Sequence, residues 1–296
     1  MSKSRSLAEI SHKIGRDPRL IENILCDLLA QDRALKVLEV GFGHGRVLLE
    51  LAWHFRNENV TFYGVDKKQK PPVEKREDLT EIARLYQVIP EEELAHFELP
   101  ELFFYDATRL HFSDESLDLI YSAVTMRFLE RKVEFLEEVC RVLSPGGMAL
   151  LQIGEHRWNY PYSLACDNKV LTPFASRIVL RHDKELIPLP DYLKLFQGNS
   201  FRFDFIGGTR CAIRISKLRS SFLQLQLRFN PELSGPMEEL PYRHGSGEDR
   251  GGCRSVYDVS PEIYQALFAS GILKSERLCT DLETLRRRRH DEEDES

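Results

Sequence analysis

The chain has 296 residues and is long enough to bury a substantial core without disulfides or metals. Hydrophobic residues make up 42% and charged residues 30%, the balance of an ordinary soluble globular protein, which excludes fibrous and disordered classes. A formal net charge of −6 gives no global attraction to nucleic acid or anionic membrane.

Residues 1–19 are polar and carry no apolar run of the leader type, and no stretch reaches the ~20 apolar residues of a membrane span, so a cytoplasmic protein is expected. Leu20, Ile21, Ile24, Leu25, Leu28 and Leu29 recur at helical spacing behind the start signal Asp17-Pro18. A shorter helix is expected around Ser6–Ile14. The pair lacks a basic recognition helix and reads as a cover for a sheet rather than a DNA reader.

Alternation of strand and helix begins at Leu35. Strands are predicted at 35–40, 60–65, 102–105, 117–122 and 148–153, and helices at 46–55, 78–86 and 131–143. This succession implies βαβ units and a parallel sheet covered on both faces. Beyond Gly154 a helix is predicted over 190–196. Phe201–Ile206 and Cys211–Ser216 read as a hairpin through Gly207 and Gly208 at one edge of that sheet. The rival reading gives the last helix and strand to Ser260–Leu278 and makes 155–258 an insertion. Phe222–Phe229 alternates as a further edge strand, 231–255 reads as loop, and Pro261–Ala269 as a helix capped by Ser260. The four arginines at 286–289 and the acids after them form an expected disordered tail.

The chemistry sits in VLEVGFGHGRVLLELA, residues 37–52. Gly41 permits a tight exit from the strand, and Gly43 and Gly45 let backbone approach a ligand with no Cβ in the way. A loop at the carboxyl end of the first strand lies where open α/β sheets bind ligands. The dinucleotide fingerprint G-x-G-x-x-G would need glycine at 46, where Arg46 stands, and no Gly-Lys-Ser/Thr follows for a phosphate loop. G-x-G-x-G preceded by Glu39 instead resembles the first motif of class I S-adenosylmethionine (SAM) methyltransferases. FYGVDKK (62–68), FFYDATRLHFSDESLDLIYS (103–122) and RVLSPGGMALLQIG (141–154) resemble the later segments of the same family, in order.

The resemblance implies a Rossmann-like class I methyltransferase fold, α/β with a mainly parallel seven-stranded sheet and helices on both faces. It covers residues 20–155, with a continuation to 217. It implies SAM as cofactor and S-adenosylhomocysteine as product. Glu39, Gly41, Gly43, His44, Gly45, Asp66, Asp106, Ala107 and Ser122 become the cofactor-binding candidates. Asp66 would accept the ribose hydroxyls and Asp106 the adenine amine, a task suited to carboxylates. Asp118 and His111 read as structural.

No histidine pair and no Asn/Asp-Pro-Pro-aromatic motif follows the fourth strand, so a general base is not assigned and nucleic-acid amines are disfavoured as acceptors. Arg127, His156, Trp158 and Tyr160 are the acceptor-pocket candidates. The six cysteines form no C-x-x-C pair, and no metal is expected. The chain thus divides into a helical cover (1–34), a SAM-binding domain (35–217), a C-terminal extension (218–285) and a tail (286–296). The expected acceptor is a small molecule. The alternatives are a protein or peptide side chain, or SAM binding without turnover.

Overall fold

The computed structural model describes residues 4–67, 72–153, 178–183, 185–206, 212–236 and 252–273. Within them the helices are α1 (Leu7–Gly15), α2 (Leu20–Leu29), α3 (Arg46–His54), α4 (Leu79–Tyr86), α5 (Glu91–Leu94), α6 (Lys132–Val142), α7 (Leu189–Lys194) and α8 (Pro261–Ala269). The strands are β1 (Leu35–Val40), β2 (Val60–Asp66), β3 (Glu101–Phe104), β4 (Leu117–Ser122), β5 (Leu143–Gln152), β6 (Ile178–His182), β7 (Glu185–Ile187), β8 (Phe201–Ile206), β9 (Ala212–Lys217), β10 (Leu227–Phe229), β11 (Gly235–Pro236) and β12 (Cys253–Val259). The expectations for residues 154–160, for the turn at 207–208, for 274–278 and for the 286–296 tail lie outside the described residues.

The chain falls into two compact units. The first takes in Met1–Met126, Glu134–His156 and Gly198–Leu223. Its seven-stranded sheet has the order β3-β2-β1-β4-β5-β9-β8. The β1–β2, β2–β3, β1–β4 and β4–β5 pairs are parallel, and β9 joins β5 antiparallel. The predicted hairpin is therefore the sheet edge, β8 pairing β9 antiparallel from Phe201↔Lys217 to Ile206↔Ala212. The rival is refuted, because α8 lies in the other unit.

Strand β1 is apolar on both sides because both faces of the sheet are covered. Leu35 and Val37 join a core cluster with Leu7, Ile10, Ile14, Ile21, Leu25 and Leu28 of α1 and α2 and with Val47, Leu48 and Leu51 of α3. The N-terminal helices thus cover the sheet. Ser6 closes a capping box with Glu9 at the start of α1, satisfying helix-end donors. Leu38 and Val40, on the opposite face, are equally buried.

At the amino end of β4, Asp118 accepts from the Lys36 amide (2.8 Å) and the Ser144 hydroxyl (2.7 Å) and pairs with Arg33. It pins three segments together, as its structural reading required. Lys217, at the far end of β9, is wholly buried. Its ammonium pairs with Glu115 at 2.9 Å and donates to the Cys140 carbonyl at 3.0 Å. Glu115→Ala should leave that buried ammonium with the Cys140 carbonyl as its hydrogen-bonded acceptor and lower stability, by less than the loss of a fully buried partner would because Glu115 keeps a quarter of its side chain exposed. Equal denaturant midpoints for the variant and the parent chain would contradict this.

The second unit takes in Arg127–Val133, Arg157–Gln197 and Gln224–Ser296. Its sheet has the order β10-β12-β6-β7, with β11 also on β12; β12 and β6 are parallel and the other pairs antiparallel. The buried Lys132 ammonium donates to the carbonyls of Leu129 (2.5 Å) and Cys253 (2.7 Å) and to the Ser255 hydroxyl (3.0 Å).

Two expectations are corrected. Within 222–229 only Leu227–Phe229 is a strand, and it pairs with β12 rather than extending the first sheet. Gln226 adopts φ +55, which breaks the extended run just before the ladder starts. The 231–255 stretch is not all loop, since it holds β11 and the start of β12.

Candidate functional site

The chain lays down β1, β2 and β3 outward in one direction, then crosses back to place β4 on the other side of β1. That reversal makes the gap between the loops after β1 and β4 the topological switch point, the place where open α/β sheets leave a crevice at their carboxyl ends.

The glycine loop forms one wall. The Gly41 amide donates to the Val65 carbonyl (2.7 Å) and the Gly45 amide to Phe42 (2.8 Å), which turns the chain sharply into α3. Gly41 has φ +79, and a Cβ built there would fall 1.8 Å from Thr125 Oγ1, so another side chain already fills that space. Gly43 is different. It has φ +57, and a Cβ there would meet nothing within 4 Å. At Gly45 the Cβ position is taken by Leu79, 2.4 Å away, so packing rather than ligand approach requires glycine there. Arg46, which stands where a dinucleotide fingerprint has glycine, turns to Glu50 (2.7 Å) and lies 4.5 Å over the Tyr86 ring.

The acids are arranged around this loop. Asp66 ends β2 and accepts the Gly43 amide on Oδ2 (3.1 Å) and the Lys67 amide on Oδ1 (2.8 Å). It therefore fixes the open glycine, and each carboxylate oxygen keeps a further lone pair. Asp106, after β3, pairs with the Lys67 ammonium (2.8 Å) and accepts from the Thr108 amide (3.0 Å) and hydroxyl (2.9 Å). Burial pushes its pKa up, but Lys67 and Thr108 outweigh that and hold it below the usual carboxylate range. Ala107 is buried beside it.

Two candidates face inward. The Ser122 hydroxyl is fully buried and donates to the Val40 carbonyl (2.9 Å), tying β4 to β1. Glu39 lies on the same face as Val37, opposite Tyr121 in register, and is 6% exposed. The Tyr121 hydroxyl donates to it at 3.1 Å. Burial in that apolar layer raises its pKa to about 8, against the bond from Tyr121. Glu39 is thus tied to β4 through Tyr121, inside the sheet's covered face.

The loop after β4, which the sequence marks as the segment Ala123–Phe128 at the ligand-bearing edge, forms the other wall, and the roles of Val124, Thr125 and Gln152 in it were not readable from the sequence. Val124 has φ +70, a conformation costing a β-branched residue about 1–3 kcal/mol. Its amide donates to Gln152 Oε1 at 2.8 Å. Thr125 follows, against Gly41. The strain could not be read from residue types, and Gln152 is 28 residues away in sequence.

His44 is half-buried within the loop. His111 packs at 4.0 Å on the Tyr105 ring. Arg127 lies in the second unit, 5.0 Å over the ring of Phe128. His156, Trp158 and Tyr160 lie outside the described residues. A cavity of about 410 Å³ lies at the opposite end of the strands, by Val60 and Glu101, and does not belong to this site. Among the described residues no helix is long and apolar enough to cross a membrane, and no group of three or more His, Cys, Asp or Glu could hold a metal.

Residues 38–151, which hold every element of the crevice, match the family model of the methyltransferase domain. Residues 38–151 thus read as a methyltransferase domain. None of the curated proteins matches it. Similar solved structures include the CurJ carbon methyltransferase (14% identity, TM-score 0.42, covering 68% of this chain and 54% of that one). Another is a phosphoethanolamine N-methyltransferase from Haemonchus contortus with S-adenosylhomocysteine (17%, TM-score 0.30, 45% and 29%). A third is PKMT2 of Rickettsia typhi (20%, TM-score 0.33, 48% and 25%). The likeness spans about half or less of these three solved chains.

The residues of the methyltransferase domain fit the family's cofactor. The open space over Gly43 admits a ligand against backbone, and two carboxylates stand at neighbouring strand ends to take hydroxyl and amine donors.

Proposed function

We propose that this chain binds SAM in the crevice between the loops after β1 and β4 and transfers its methyl group to a small-molecule acceptor. The observation that carries this reading is the pairing of Gly43, whose Cβ position is open, with Asp66, which holds its amide. SAM brings a methyl group already activated on a sulfonium sulfur, so the protein's task is to bind and orient. Asp66 accepts the ribose hydroxyls while keeping the loop in place. Asp106 takes the adenine amine in exchange for part of its bond to Lys67. Glu39 and Ser122 act as ties between β1 and β4.

Asp66→Ala should weaken SAM and S-adenosylhomocysteine alike. Removing charge-assisted bonds costs about 1.5–3 kcal/mol, a loss of roughly tenfold or more in affinity. Titration calorimetry showing unchanged binding would sink the assignment.

The small-molecule reading is supported by the run His156–Tyr162, whose mix of aromatic and hydrogen-bonding side chains is the make-up of acceptor pockets, and by a net charge that does not draw nucleic acid. The test is turnover with methyl-labelled SAM against a metabolite extract and, separately, a protein extract. A methylated metabolite supports the reading, label confined to protein replaces it with a side-chain methyltransferase, and binding without label in either makes the chain a SAM-binding protein.

A further inference from the structure

We propose that Gln152 is a positioning residue of the cofactor crevice: its side-chain carbonyl holds the strained Val124 turn, and that turn seats Thr125 against the glycine loop. The inference rests on the reading of this crevice as the SAM site.

Gln152 is a well-anchored group. It is the last residue of β5 and 4% exposed. Its neighbour Leu151 pairs with Ser122 of β4, and Gln152 itself pairs with Ala212 of β9, so strands hold it on both sides. From there Oε1 accepts the Val124 amide at 2.8 Å. Val124 occupies the left-handed region at φ +70, which a valine does not choose. The conformation persists because the surroundings determine it, and the Gln152 bond is the polar part of those surroundings.

The turn has a consequence one residue on. Thr125 Oγ1 lies where a Cβ on Gly41 would stand, and Met126 beyond it is fully buried. The segment after β4 is thus clamped at both ends, with Thr125 resting on the first glycine of the loop. Gln152, Val124, Thr125 and Gly41 form one chain of contacts from the rigid sheet to the crevice wall. Without the acceptor, the Val124 amide loses its partner and the ordinary backbone regions become the better choice. Thr125 then leaves Gly41, and the loop loses the side chain that fills its inner face.

The test uses the whole chain. In Gln152→Met, which keeps length but has no oxygen, hydrogen exchange at the Val124 and Thr125 amides without ligand should rise at least tenfold, and SAM should bind about tenfold more weakly. If a turnover assay is in hand, kcat should fall more than KM rises, because the crevice orients as well as binds. The same substitution in a Val124→Gly background should change SAM binding less than threefold, since glycine takes φ +70 without being held. Should Gln152→Met not fold, the double variant is expected to fold, and its failure would count against the idea. Unchanged exchange in Gln152→Met, or an undiminished loss of SAM binding in the glycine background, overturns the proposal. If the parent chain binds no SAM, the functional reading fails, while the ligand-free exchange still decides whether Gln152 holds the turn.

Discussion

Gly41→Ala should be among the most damaging single substitutions in the first unit. Two penalties coincide at this position. The backbone sits at φ +79, where a Cβ costs about 1–2 kcal/mol, and the new methyl would lie 1.8 Å from Thr125 Oγ1 and 2.7 Å from its Cβ and Cγ2. No contact that short survives, so Thr125 must move, and forced repacking adds about 1–3 kcal/mol. The sum is about 2–5 kcal/mol of stability. SAM binding should fall with it, because the displaced residue belongs to one wall of the crevice and the substituted one to the other. The two penalties can be separated. Thr125→Gly removes all three atoms that a Gly41 Cβ would meet, so Gly41→Ala should cost only about 1–2 kcal/mol in that background. Denaturant unfolding of the four chains closes the cycle. An identical cost in both backgrounds would show that Thr125 is not what makes glycine necessary.

This contact also marks where the sequence stopped being informative. The first sheet was legible because its signals are local. Short apolar runs give the strands, Gly41 marks the end of the first, and the glycines at 207–208 join two alternating runs that prove to be β8 and β9. The second sheet was not legible. Its central pair, β6 and β12, lies 77 residues apart from Ile178 to Ser255, and periodicity can suggest a strand but not its partner. The start of β12 was also masked by the polar, glycine-rich run before it. In the crevice, the residue types at Gly43, Asp66 and Asp106 carried their own chemistry. The reasons for Gly41 and Gly45 lay in Thr125 and Leu79, which only the fold brings near. Glu39 was legible as an acid before a glycine loop, but not as a buried one. Strand β1 is apolar on both faces, so alternation does not say which way position 39 points.

That burial gives the second large expected effect. Glu39→Gln should remove a fall in stability that the parent chain shows as pH rises from about 4.5 to about 8. Burial raises the Glu39 carboxyl to about 8; the Tyr121 hydroxyl pulls it down, the Asp66 charge pushes it up, the Leu48 backbone lowers it and Glu50 raises it. In the unfolded chain the group returns to 4.5. Between those values the folded protein holds a proton that the unfolded chain has released, so rising pH favours unfolding. The slope is at most about 1.4 kcal/mol per pH unit, and the whole effect is a few kcal/mol. The contribution is fully present below 4.5 and has been lost once the pH passes about 8. Glutamine matches the shape of the neutral acid and still accepts from Tyr121, but does not titrate. The two stability curves should therefore converge at pH 5 and separate toward pH 8.5, with the variant the more stable. Asp106, Asp204 and Glu138 have lowered pKa values, so their contributions fade only under acid conditions, outside this window, and they cancel between the two proteins. Tyr121→Phe deletes the donor that favours the carboxylate and should extend the fall to higher pH. Parallel curves for the parent chain and Glu39→Gln between pH 5 and 8.5 would mean that Glu39 is ionised in the fold, and would remove the burial argument on which its supporting role stands.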